Sequence, residues 1–134
     1  MAQPDSITLS VDDDGDGLTP VDEVYTNFDR YGNRSVYHGS DHTPVVRNTM
    51  TLYRTYPKAT PSFYGVWKTA AKTSQDLTVD TPIVDGTTRA PAIMATNASI
   101  PVGATDEEIM HAVQRHIALL QTDEFLVMVK TGKV

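Results

Sequence analysis

Residues 12–23, DDDGDGLTPVDE, carry oxygen-bearing side chains at the spacing of a calcium loop. Asp12, Asp14 and Asp16 would each supply an oxygen, Gly17 the sharp turn and Glu23 a closing bidentate carboxylate. Loops of this type sit between two helices, and here the flanks differ. An alternating run with Ile7, Leu9 and Val11 precedes the stretch, which is the pattern of a strand. Thr19 stands where an apolar residue would pair with a second loop, Pro20 follows it, and the chain has no second loop. The stretch reads as an Asp/Gly turn, and a small calcium-binding module using Asp12–Glu23 is the alternative.

A second group, YHGSDH, offers His38, Asp41 and His42. Histidines four apart converge on a helix, but Gly39 and Ser40 make this a loop, so a solvated loop is the reading. His111 and His116 are five apart, off a common helix face. Ser, His and Asp all occur, yet no nucleophile elbow or glycine-rich phosphate loop frames them. Nothing here argues for an enzyme, a cofactor or a small-molecule substrate.

The chain of 134 residues suits one domain, 1–134, and its 40% apolar content suits a folded one. Without cysteine there is no disulfide framework and no thiolate chemistry. The start MAQPDSITLS lacks a basic, apolar leader and no apolar run approaches membrane-spanning length. The expectation is therefore a protein made and kept in the cytoplasm, with no membrane partner, unless it leaves by lysis or as part of a particle.

The net charge of −6 conceals segregation. Residues 1–41 hold nine acids against Arg30 and Arg34, and residues 76–134 hold eight against four cations. Residues 42–75 hold no acid, with Arg47, Arg54, Lys58, Lys68 and Lys72. Such a stretch could put positive potential on one surface of an acidic protein.

These residues must be positioned by strands and then helices. SITLSV, the Asp/Gly break and VDEVYTNF predict an N-terminal hairpin over about 6–28. SVYH follows the turn RYGN, and VVRNTMTLYRTY puts Arg47, Thr49, Thr51 and Tyr53 on one face and Met50 and Leu52 on the other. SFYGVWKTAAKT predicts a strand with Phe63 and Trp67 on one face and Tyr64, Val66 and Lys68 on the other. DLTV is a further short strand, DTPIVDGTT a loop and APAIMATNASI the last strand, so the sheet spans about 35–101.

From about 105 to 131 the period becomes helical. Thr105 is an N-cap with Glu108 three positions on, and Asp106 and Glu107 suit the positive end of the dipole. Ile109, Val113, Ile117 and Leu120 then form one apolar stripe, and Thr122 caps a shorter helix carrying Phe125, Leu126, Met128 and Val129. The class is α+β. One sheet and two terminal helices have one natural apolar layer, yet the second helix and the sheet both need covering. Helices that leave the sheet end could pack on a partner's sheet, making an obligate dimer, whereas monomeric packing would leave a long uncovered sheet as an aggregation hazard.

The run ATDEEIMHAVQRHIALLQTDEFLVMVK resembles the helix pair that closes the coat proteins of single-stranded RNA bacteriophages. ITLS opening a hairpin, then RNTMTLYRTY, a loop and FYGVWK, are similar to that family in order and spacing, strongest at 45–73 and 104–130 and weakest at 74–92. The resemblance implies intertwined dimers in which two five-stranded sheets join and each subunit's helices cross the partner's sheet. It implies an icosahedral shell, helices outside, around genomic RNA, and an inner sheet face that binds an RNA hairpin and represses replicase translation.

On that reading the partners are a second copy and single-stranded RNA, and the protein resides in the virion. Met50, Leu52, Phe63 and Trp67 would lie under the helices, with Ile109, Val113, Ile117 and Leu120 packing from above. Arg47, Thr49, Thr51, Tyr53 and Lys68 would face the RNA, with Asn97 nearby. The sequence departs from the family at Ile93 and Ala95, where a base-stacking Tyr and an Asn or Asp are usual. That departure bears on recognition of a particular hairpin, not on attraction of RNA by charge. A free RNA-binding repressor that never assembles is the third reading.

Overall fold

Alternation of apolar and polar side chains carries the first hundred residues into strands, and a change to helical spacing ends the sheet. The computed structural model describes residues 3–13, 15, 18–80 and 86–134. Among them lie β1 (Ser6–Val11), β2 (Val21–Tyr31), β3 (Arg34–Gly39), β4 (Asn48–Thr55), β5 (Val66–Asp80), β6 (Thr87–Pro101), α1 (Asp106–Leu120) and α2 (Asp123–Thr131). Residues 1–56 with 67–99 form one compact unit, and residues 57–66 with 100–134 form a second.

In the first unit the strands follow one another in chain order. Antiparallel pairing joins β1 through β5, and β6 adds to β5 at the far edge. Strand β2 serves twice: it forms the hairpin with β1 and, through the turn at Gly32 and Asn33, opens the five-stranded run β2–β6. Hairpin and sheet are thus one six-stranded layer.

The buried side chains lie on one face of that layer. Tyr25, Tyr37 and Met50 are buried, with Ile7, Leu9 and Leu52 packed against them. Register explains the grouping, since Ile7 is opposite Tyr25, Tyr37 opposite Met50, and Leu52 lies two residues along β4. Both tyrosines carry a hydroxyl that needs a partner once water is removed. The Tyr37 hydroxyl donates to the Pro4 carbonyl at 2.7 Å, and the Tyr25 hydroxyl donates to Asn48 Oδ1 at 3.1 Å. Burial pushes the Tyr25 phenol up from its ordinary value, against the Asn48 hydrogen bond and with the help of the Glu23 and Asp41 charges.

Between Asn27 and Asp29 the β2–β3 register shifts, so Phe28 is the extra residue of a bulge. Asn27 Nδ2 spans the irregularity, donating to the carbonyls of Asp29 and Val36 at 3.3 Å each.

Several boundaries differ from the sequence expectation. Strand β4 begins at Asn48, so Val45, Val46 and Arg47 lie before it. The run SFYGVWKT does not enter a strand until Val66. Thr60 bridges to Phe63, and Gly65 adopts φ +94°, a conformation disfavoured for L side chains. The alternation expected through Phe63 and Tyr64 is therefore broken at Gly65. DLTV is no separate strand but the end of the 15-residue β5. Of the loop expected at 80–88, Asp80 belongs to β5 and Thr87 and Thr88 to β6, while residues 81–85 lie outside the described residues.

In the second unit both helices start as their caps dictate. Thr105 Oγ1 accepts from the Glu108 N–H at 3.3 Å, and Thr122 Oγ1 accepts from the Phe125 N–H at 3.2 Å. Gly132, at φ 72°, closes α2 with a left-handed cap. No side chain of either helix is buried. Ile109 and Leu120 are half-buried, whereas Val113 and Ile117 keep 44% and 40% of their surface exposed.

Candidate nucleic-acid face

Because side chains alternate across a strand, cross-strand partners share a face. Opposite the Tyr25–Tyr37–Met50 core, three rows cross the sheet. His38, Thr49 and Ser74 form one; Val36, Thr51 and Lys72 the next; Arg34, Tyr53 and Ala70 the third. Thr55 and Lys68 extend the pattern at the end of β4. Arg47, Thr49, Thr51, Tyr53 and Lys68 all fall on this side, as their alternation predicts, although Arg47 stands just before the strand.

The acid-free segment is less uniform in space than in sequence. Arg47 is met by Asp76, the first acid beyond that segment: the carboxylate accepts the Arg47 backbone N–H at 2.9 Å and lies 3.9 Å from Nε. Arg54 alternates to the other face, stacks on Tyr56 at 4.8 Å and donates to the Gly32 carbonyl at 3.1 Å. Lys58 belongs to the second unit. Lys68 and Lys72 remain, and Arg34 joins them from β3, its guanidinium 4.4 Å from the Tyr31 ring centre.

Neither Lys72, counted only within the acid-free segment, nor Arg34 was among the residues expected to face RNA. Lys72 could have been found by stepping in twos along β5 from Lys68. Arg34 could not, because its place depends on the register imposed by the Gly32–Asn33 turn.

A recess of about 310 Å³ opens beside the end of β4. Tyr53, Lys68, Asn97 and Ser99 line it with Ala70, which brings Asn97 to the same patch as Tyr53 and Lys68. The surface can attract phosphate through Lys68, Lys72 and Arg34, and offers hydroxyls and one amide for hydrogen bonds. Ile93, by contrast, is an exposed aliphatic side chain and Ala95 an exposed small one.

On the core side, Met50 is buried, Leu52 is half-buried and Trp67 keeps 39% of its surface exposed. Trp67 tilts against Tyr56 at 5.7 Å and lines a groove of about 600 Å³ with Arg30, Leu52, Ala71, Thr96 and Ala98.

The other candidate ligands are arranged differently. Glu23 lies within β2 opposite Leu9, and Gly15 donates to the Asp12 carbonyl at 3.2 Å in a turn. Asp14, Asp16 and Gly17 lie outside the described residues. His38 and His42 stack ring on ring at 3.9 Å, and His42 Nδ1 accepts the Asn48 N–H at 3.0 Å, so this nitrogen is engaged with the backbone. Asp41 accepts from Asn48 Nδ2 at 2.8 Å.

No protein-family model and no curated protein sequence matches the chain. Solved structures do share its fold. The virus-like particle of bacteriophage AVE019 gives a TM-score of 0.76 at 16% identity, covering 98% of this chain and 98% of its own. The virus-like particle of Beihai levi-like virus 21 gives 0.72 at 12% identity, covering 99% and 98%. The bacteriophage EMS014 coat protein gives 0.60 at 16% identity, covering 89% and 74%. The chain has the levivirus coat fold: a six-stranded antiparallel sheet followed by two C-terminal helices.

Proposed function

We propose that this chain is the coat protein of a single-stranded RNA phage. It is a structural protein, not an enzyme. It forms an obligate dimer, and dimers assemble into a closed shell whose inner surface, the Thr49 face, meets packaged RNA. Fold alone does not carry function. The observation that carries this reading is a chain of shell-protein fold whose described residues bury only three hydrophobic side chains, while Trp67, Val113 and Ile117 stay exposed. A protein of this length ordinarily has a larger core of its own. A second copy, its helix stripe laid against the Met50 and Trp67 side of this sheet, would supply the missing contacts.

RNA binding is read from Arg34, Tyr53, Lys68, Lys72 and Asn97, joined by Thr49 and Thr51. Repression of replicase translation through one hairpin is part of the same reading, and requires sequence preference beyond charge.

Electron microscopy and size-exclusion chromatography of the purified chain test the proposal. Particles far larger than a dimer, absorbing at 260 nm, are expected. A free repressor would remain a dimer, and a calcium-binding module would remain small and gain thermal stability with calcium; either result rejects the shell.

A further inference from the structure

Phe28 has no role in the core or in the helix stripe, yet its geometry is fixed. The bulge in β2 sets its ring on that of His38, with centroids 4.3 Å apart and planes 13° from parallel. His42 stacks in turn on His38 at 3.9 Å and 28°. The His42 ring is held by the Asn48 N–H, and the bulge is held by the two hydrogen bonds from Asn27. The result is a column of three rings whose outermost member, Phe28, keeps 66% of its surface exposed. Bulges re-aim side chains, and this one presents an apolar ring to solvent on a pre-ordered base.

The surroundings state what such a ring would meet. His38 is opposite both Thr26 and Thr49, so the column stands on the same face as Thr51, Lys72 and Arg34, and so does Asp29, next to Phe28 and opposite Val36, its carboxylate accepting the Arg30 N–H at 2.8 Å. Cations and hydroxyls on the same face as an open aromatic ring suit a phosphate chain whose bases are unpaired, because every base has a π-face and stacking tolerates sequence. We propose that the Phe28–His38–His42 column is a stacking platform for one unpaired nucleobase of RNA, which lies on the open face of Phe28. Burial, together with the neighbouring His42, holds the His38 imidazole below its ordinary value. This favours a neutral middle ring at neutral pH, for which the contact is stacking rather than ion pairing.

The inference rests on the Thr49 face being the RNA surface, and the test separates the two. Full-length protein stripped of nucleic acid is titrated with a short single-stranded RNA and with an abasic strand of equal length and charge. Wild type should bind the base-bearing strand more tightly, on the order of tenfold. Phe28→Leu should lower that strand to the abasic level without changing the abasic affinity, and Phe28→Tyr should retain the preference. In wild type, which needs no variant to fold, a 2-aminopurine in the strand should lose fluorescence on binding.

Preference retained by Phe28→Leu, or unchanged 2-aminopurine emission on bound strand, overturns the platform. So does a Phe28→Leu protein that binds both strands as wild type does but no longer forms particles, since the ring would then be a contact between copies. Lys68→Ala with Lys72→Ala should weaken both strands alike. If that pair changes neither, the RNA reading of the face fails, and the platform with it.

Discussion

Arg47, just before β4, faces Asp76 of β5, the Asp76 carboxylate accepting the Arg47 backbone N–H at 2.9 Å and approaching Nε at 3.9 Å. The arginine that leads the cationic segment is thereby partly neutralised, and its charge is partly committed to the protein itself. The carboxylate keeps only 11% of its side-chain surface exposed, whereas the arginine keeps 69%.

Arg47→Ala should therefore weaken RNA binding less than Lys68→Ala or Lys72→Ala. Each lysine that contacts a phosphate should lower the salt slope by roughly one unit. Filter binding at two salt concentrations reads this directly. An Arg47 effect equal to that of both lysines would show that Asp76 does not hold it.

Asp76→Asn keeps an acceptor for the Arg47 N–H and removes the charge. Tighter RNA binding at low salt, converging with wild type at high salt, is expected. Unchanged affinity at low salt would mean that Arg47 lies outside the RNA contact.

Ile117→Asp distinguishes a finished monomer from a dimerising chain. At a helix position with 40% of its surface exposed, the change would be mild in an isolated chain. At a subunit contact it places an unpaired charge in apolar surroundings, which costs several kcal/mol. Size-exclusion chromatography should show neither dimer nor particle. Normal particles would reject the helix stripe as an interface.

Gly65 has φ +94°, and a Cβ there would lie 2.7–2.9 Å from the backbone of Lys58. Gly65→Ala should destabilise the fold by about 1–3 kcal/mol from backbone strain alone. A thermal or denaturant midpoint equal to wild type would show that the 57–66 segment adapts.

His38 supplies a pH prediction. Its folded value lies below 6.5, the ordinary histidine value, so the unfolded chain binds its proton first as pH falls. The stability contributed by neutral His38 is complete above 6.5 and is lost as pH drops from there toward the folded value. Wild type should melt lower at pH 5.5 than at pH 7.5 by a margin that shrinks in His38→Gln. Equal margins in the two proteins would remove His38 as the cause.

What could be read in advance follows from which forces are local. Alternation through Thr49–Tyr53 and the caps Thr105 and Thr122 need only neighbours in sequence, and these features agree with the structure. The unity of β5 was hidden because Lys72–Asp76 carries no apolar side chain, so no apolar period joins its two halves. Gly65 carries no sign of its left-handed backbone until the chain around Lys58 is in place. Arg47–Asp76 and Phe28–His38 are encounters set by strand register, one at the entry to β4 against β5 and the other by a one-residue shift in β2. The cationic face was thus legible as a composition, while its pairing was not.

The strand order, running from β1 to β6 without a crossover, also bears on how the protein is made. Each strand's first partner is the one synthesised just before it, so ribosomal emergence and sheet growth proceed in the same direction. Loop closures stay short, which lowers the entropic barrier that usually slows β proteins. The helices leave the ribosome after every strand has been delivered. A messenger that is heavily translated would release chains with the sheet already zipped.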